Sequence, residues 1–164
     1  MKLIEGLEAV LGVVDIVVNW IVGGALLLMT AVLFLNSVGR TFLGTSLVGG
    51  PALGRLLVIW LCFLGAYLLV RRNGHVAVDI VARLVSERTA RRLAVATGIV
   101  GAATMGYIAW LGYLFTAKRF AFGQIDPMLD LPIGFFYLPL PIGCALMAIA
   151  FLVVAAKAAV GEDD

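Results

Sequence analysis

The sequence predicts an all-α integral membrane protein with four transmembrane helices, a short amphipathic interfacial helix between the second and third, and both termini in the cytoplasm. Three observations carry this. Of 164 residues, 63% are hydrophobic and only 13% charged, and the mean hydropathy of +1.10 leaves too few charges to coat a soluble domain. Four stretches with few or no charges, about 16–35, 53–70, 93–115 and 135–156, each approach the roughly 20 apolar residues that cross a hydrocarbon core of about 30 Å. None alternates as a barrel strand does, so each satisfies its backbone internally as a helix. Residues 1–164 are therefore read as a single four-helix membrane domain.

The first run is a retained span and not a signal peptide: it is long, its leader carries Glu5, Glu8 and Asp15, and no small-residue cleavage site follows. Ahead of it, Leu3, Leu7, Val10, Leu11 and Val14 recur at helical spacing against those acids. This pattern fits either an interfacial helix or an extension of the span into water.

The second run holds one charge well inside it, Arg55, near the outer end, where an arginine snorkels to water. Anchoring at the interface is the favoured role there, and an acidic partner on a neighbouring chain gives the stronger one. Trp60 brings an indole N–H that wants an acceptor or an aromatic neighbour. Cys62 and Cys144, both in apolar runs without metal or redox spacing, read as buried, inert thiols.

Between the second and third runs, Val76, Ile80 and Leu84 repeat every four residues, while Asp79, Arg83 and Glu87 do so on another face. This predicts the interfacial helix over about 76–85. His75 is the only histidine, which excludes bis-histidine haem ligation within the chain, and Asp79 lies within reach of it along one helical face. Arg88, Arg91 and Arg92 then meet anionic phospholipid headgroups before the third span begins.

In the third run Gly98, Ala102 and Gly106 stand four apart, a smooth stripe on which another helix can approach, and Gly23 and Gly24 in the first run invite the same reading. Pro127, Pro132, Pro139 and Pro141 bracket the entry to the fourth run and predict an irregular third loop. Trp110, Tyr113, Phe115, Phe135, Phe136 and Tyr137 gather near one interface as an aromatic belt.

Four spans place both termini and the second loop on one side. That side holds Lys2, Arg71, Arg72, Arg83, Arg88, Arg91, Arg92 and Lys157, against Arg40, Arg55, Lys118 and Arg119 on the other. The excess of positive charge puts the first side in the cytoplasm.

A net charge of +2 without a groove-binding pattern excludes nucleic acid as a partner. There is no phosphate loop, no nucleophile elbow, no zinc-helix motif and no carboxylate pair inside the runs, so neither an enzyme nor a cofactor or metal site is expected. Every acidic residue falls outside the apolar runs, which argues against a complete transport pathway in this chain alone.

The second run and its exit read Arg55, then Trp60-Leu61-Cys62-Phe63-Leu64-Gly65-Ala66, then Arg71-Arg72-Asn73-Gly74-His75-Val76-Ala77-Val78-Asp79. This resembles the DctQ-type small membrane subunit of tripartite ATP-independent periplasmic (TRAP) transporters. The likeness extends over nearly the whole chain, including the Leu138-Pro139-Leu140-Pro141-Ile142-Gly143 entry to the fourth span. Ala52 departs from it, standing near where many members carry an acid before the arginine, so the resemblance supplies no acidic partner for Arg55 within the chain.

The resemblance implies a secondary transporter of a bacterial inner membrane that imports organic acids, carboxylates or sialic acid, on a sodium gradient. A periplasmic binding protein delivers the solute, and sodium coupling resides in the large membrane subunit, whose moving part slides against a scaffold that the small subunit enlarges. On this reading Arg55, Trp60 and Gly65, with the Gly98, Ala102 and Gly106 stripe, pack against the large subunit. Arg71, Arg72, His75, Asp79 and Arg83 fix the interfacial connector, and Lys118, Arg119, Asp126 and Asp130, exposed on the outer loop 118–131, meet the binding protein. The rival is a self-sufficient homo-oligomeric transporter, which needs Asn19, Asn36 and Arg55 to converge on one cavity.

Overall fold

The structure, a computed structural model, describes residues 2–42, 44, 49–73 and 87–160. Helix α1 is Lys2–Phe42, α2 is Gly50–Asn73 and α3 is Glu87–Ala121. A two-stranded antiparallel pair follows, β1 Ile125–Asp126 with β2 Leu131–Pro132, then the single turn α4 Gly134–Tyr137 and the long α5 Pro139–Val160. Four helical stretches are long and apolar enough to cross a membrane: Glu8–Phe42, Gly50–Arg72, Arg88–Ala121 and Gly134–Ala159.

Helix α1 is continuous through the amphipathic leader, so the leader extends the span and forms no separate interfacial helix. Nothing in 2–42 breaks it, since no proline interrupts the run and its isolated glycines cost only about 1 kcal/mol each. Arg40 sits in its last turn, where a cation complements the helix dipole. Gly49, at φ +88°, lets the chain turn into α2, and a Cβ there would lie 3.0 Å from the Met128 carbonyl oxygen. Helix α3 closes with Phe122 N–H donating to Lys118 O and Gly123, at φ +61°, donating to Phe120 O. Prolines 139 and 141 fall in the first turn of α5, where an amide donor has no intrahelical partner to lose.

The helices stand in a row and not in a square. Helix α5 packs on both α3 and α2, and α1 packs on α2 and also touches α5. The core lies at the α2–α5 seam, where Leu64, Tyr67, Leu68, Cys144, Met147 and Ala150 are buried together with Val18 of α1. Small residues allow this closeness: a Cβ on Gly143 would sit 2.8 Å from Phe63 Cβ, and one on Gly98 would sit 2.8 Å from Ala155 Cβ. Among the described residues large apolar side chains are exposed along the helices, from Val10, Trp20, Leu27 and Phe34 on α1 to Val100, Tyr107 and Trp110 on α3. Hydroxyls on these surfaces turn back to their own helices, Thr30 to Leu26 O, Thr97 to Leu93 O and Thr104 to Val100 O, each at 2.8 Å.

The third loop is ordered and not irregular as its prolines suggest. Strand β1 pairs Ile125 with Pro132 and Asp126 with Leu131, and Ile133 N–H donates to Gln124 O at 2.8 Å. The turn between them uses Asp130 at φ +52°, a left-handed conformation that aspartate tolerates better than most residues. Cys62 is exposed on the outer face of α2 and only Cys144 is buried, which corrects the reading of two buried thiols. The interfacial helix predicted over 76–85, with His75, Asp79 and Arg83, lies outside the described residues.

Candidate functional site

The polar side chains of the row collect at its two ends. At the end where α2 and α5 finish, Arg71 donates from Nη2 and Nε to Asp15 Oδ2 at 2.8 and 2.9 Å. The Tyr67 hydroxyl donates to the other oxygen of the same carboxylate. Arg72 donates to Asn19 Oδ1 at 3.0 Å, and Lys157 pairs with Glu8 at 2.6 Å. Arg91 of α3 caps α5, donating to Ala158 O at 2.6 Å and Ala159 O at 2.8 Å. All four long helices are thus fastened at this end.

Asp15 is the residue that sequence reading missed. It borders the first apolar run, and nothing local marks it as the partner of an arginine 56 positions away. Paired twice over, it lets Arg71 and a tyrosine hydroxyl sit at the edge of the hydrocarbon without an unmet polar group. The pair ties α1 to α2 about 20 Å from the start of α1.

At the opposite end, Arg55 Nη2 donates to Asp126 Oδ2 at 3.0 Å, and its guanidinium lies 5.1 Å from the centre of the Phe136 ring. This corrects two expectations. Arg55 finds its acid within the chain, on the third loop and not near Ala52, and Asp126 is 6% exposed and faces inward. The cause is a turn: Asp126 Oδ1 accepts the backbone N–H groups of Met128 at 3.0 Å and Leu129 at 3.2 Å, which aims its second oxygen at α2. Lys118 and Asp130 are exposed, and half-buried Arg119 stacks on Phe115 at 4.8 Å while donating to Gln124 Oε1 at 3.3 Å. Of the aromatic belt, Phe136 is buried, Tyr137 is half-buried and the others are exposed.

Asp126→Ala is expected to destabilise the protein by about 2 kcal/mol, because it strips two loop amides and Arg55 of one acceptor group. Asp126→Asn keeps a carbonyl oxygen for the amides and should cost less. Thermal unfolding of the two variants checks this, and equal losses would show that the loop amides contribute nothing.

The residues expected to face a partner divide. The Trp60 indole donates to Phe135 O at 3.3 Å, a bond within the chain, and its ring packs on the core. Gly98 and Ala102 are covered by α5, so that end of the smooth stripe serves the chain's own packing. A Cβ on Gly65 or Gly106, in contrast, would meet nothing within 4 Å. Asn19, Asn36 and Arg55 do not converge: Asn19 belongs to the first end, whereas Asn36 lies against Gly50 and Arg55 against the third loop. Among the described residues no cluster of His, Cys, Asp or Glu could hold a metal ion.

A helical membrane protein whose polar groups fasten its own ends, and whose flanks are apolar, belongs to the class of polytopic membrane components. Residues 29–161 match the family described as tripartite ATP-independent periplasmic transporters, DctQ component. The chain belongs to that family, a transporter membrane subunit and not an enzyme, and is a multi-pass protein of the cytoplasmic membrane.

Two relatives agree. The chain is 33% identical to the C4-dicarboxylate TRAP transporter small permease protein DctQ of Rhodobacter capsulatus over 121 residues, covering 73% of this chain and 53% of the relative. It is 25% identical to the ectoine TRAP transporter small permease protein TeaB of Halomonas elongata over 163 residues, covering 97% of this chain and 84% of the relative. The chain thus matches about half the length of the first and most of the second.

Proposed function

We propose that this chain is the small scaffold subunit of a sodium-coupled TRAP transporter, working with a large permease subunit and a periplasmic binding protein to import organic acids such as carboxylates or sialic acid. The observation that carries this is the row itself: its polar groups bind one another at the two ends and leave apolar flanks for a second membrane chain. Among the described residues Asn19, Asn36 and Arg55 each meet different partners, which disfavours the self-sufficient transporter. The two relatives are named for different solutes, a C4-dicarboxylate and ectoine, which fits selectivity and sodium coupling residing in the other components. The end bearing Arg71, Arg72, Arg91 and Lys157 faces the cytoplasm by its positive charge, which leaves Lys118, Arg119 and Asp130 on the periplasmic side for the binding protein.

Gly65 and Gly106 supply the test. Gly65→Leu and Gly106→Leu add bulk where a Cβ meets nothing within 4 Å, so the isolated protein should keep its stability within about 0.5 kcal/mol. If either position meets the large subunit, its leucine variant loses co-purification with that subunit and sodium-driven uptake by the reconstituted three-component system. Uptake by this chain alone would overturn the proposal.

A further inference from the structure

Helices α3 and α5 leave a groove of about 430 Å³ at the basic end of the row, lined by Arg91, Arg92, Val95, Ala96, Ile99 and Ala159. Arg92, Val95, Ala96 and Ile99 follow one another at three- and four-residue steps, so the floor is a single face of α3 that runs about 10 Å from a charged rim to an apolar end. Among the described residues no carboxylate lines it. Arg91 is held at the rim by the two terminal carbonyls of α5, with N–H groups to spare. Arg92 is exposed and has no ion-pair partner among the described residues. The groove also lies at the end of the apolar spans: Gly98 packs against Phe151 and Ala155 inside the fourth span, and Arg91 reaches Ala158, next to the last residue of that span.

We infer that this groove is a binding site for one anionic phospholipid of the surrounding leaflet, its phosphate on Arg92 and the free edge of Arg91, its acyl chain along Val95, Ala96 and Ile99. Charge complementarity selects the occupant. A cationic rim over a dry floor suits an amphiphile with a negative head, whereas a free phosphate gains nothing from the floor and an apolar helix gains nothing from the rim. The assignment does not depend on the transport role, since it uses only groups of this chain and their place at the end of its apolar spans.

The full chain, incorporated into nanodiscs of mixed phosphatidylglycerol and phosphatidylcholine, then released and weighed by native mass spectrometry, tests the site. One phosphatidylglycerol is expected to stay bound in preference to phosphatidylcholine. Arg92→Glu, which breaks no hydrogen bond or ion pair among the described residues, should lower its retention about tenfold or more. Ile99→Trp, which fills the floor and leaves the rim charge intact, should lower it as well, with both variants unfolding at the wild-type temperature. Equal retention of the two lipids, or unchanged retention in Arg92→Glu, would overturn the assignment. So would an Ile99→Cys variant that cross-links to a co-expressed large subunit, because a protein side chain would then occupy the groove.

Discussion

Asp15→Ala is expected to be the most damaging single substitution at the basic end, costing about 3 kcal/mol and loosening α1 from α2. The magnitude follows from what remains. Arg71 would keep its charge at the edge of the hydrocarbon with neither of its two carboxylate bonds, and Tyr67 would lose the acceptor of its hydroxyl. Stripping one partner from a buried ion pair costs about 3–5 kcal/mol. The low end applies here because Arg71 is 19% exposed and close enough to the interface to reach water. Asp15→Leu combined with Arg71→Leu should recover most of the loss, since two apolar side chains replace the pair without stranding a charge. Reversible unfolding in mixed detergent measures all three, and a double variant no better than Asp15→Ala would show that the pair is not the source of the effect.

The second large effect is expected at Gly98. A single Cβ there already lies 2.8 Å from Ala155 Cβ and 3.0 Å from Phe151 O, a carbonyl that cannot rotate away. Gly98→Leu should therefore wedge α3 off α5 and cost about 3 kcal/mol, the upper end for overpacking in a close-packed seam. Gly106→Leu, two turns along the same stripe, is the control with no such neighbour. Gly98→Ala should be milder, and Ala155→Gly should relieve it by removing the nearest atom. Thermal unfolding ranks the four variants, and a Gly98→Leu protein as stable as wild type would mean that α3 and α5 meet elsewhere.

The contrast between these two glycines shows what the sequence could and could not reveal. Four spans were legible because desolvating a charge is costly anywhere in lipid, so long apolar runs announce themselves. The smooth stripe was legible too, as was the need of the Trp60 indole for an acceptor. Which side of the stripe is covered was not, because lipid tails are as apolar as a neighbouring helix and leave no amphipathic pattern to separate them. Cys62 was misread for the same reason: an apolar run looks alike whether it faces lipid or core. The Asp15–Arg71 and Arg55–Asp126 pairs join residues 56 and 71 positions apart, and a spacing rule along one helix sees neither. The short β pair escaped because its ordering agent, the Asp126 carboxylate, acts through a turn and not through an alternating pattern.

A plank nailed along its two short edges is held at its ends, and the seam inside this one is filled by side chains. With polar fastenings at both ends and a greasy stretch between them, the described helices turn apolar faces to whatever passes alongside. On the proposed scaffold role, a solute that crosses beside the row is walled on its remaining sides by other polypeptide, and the row lends it an apolar edge.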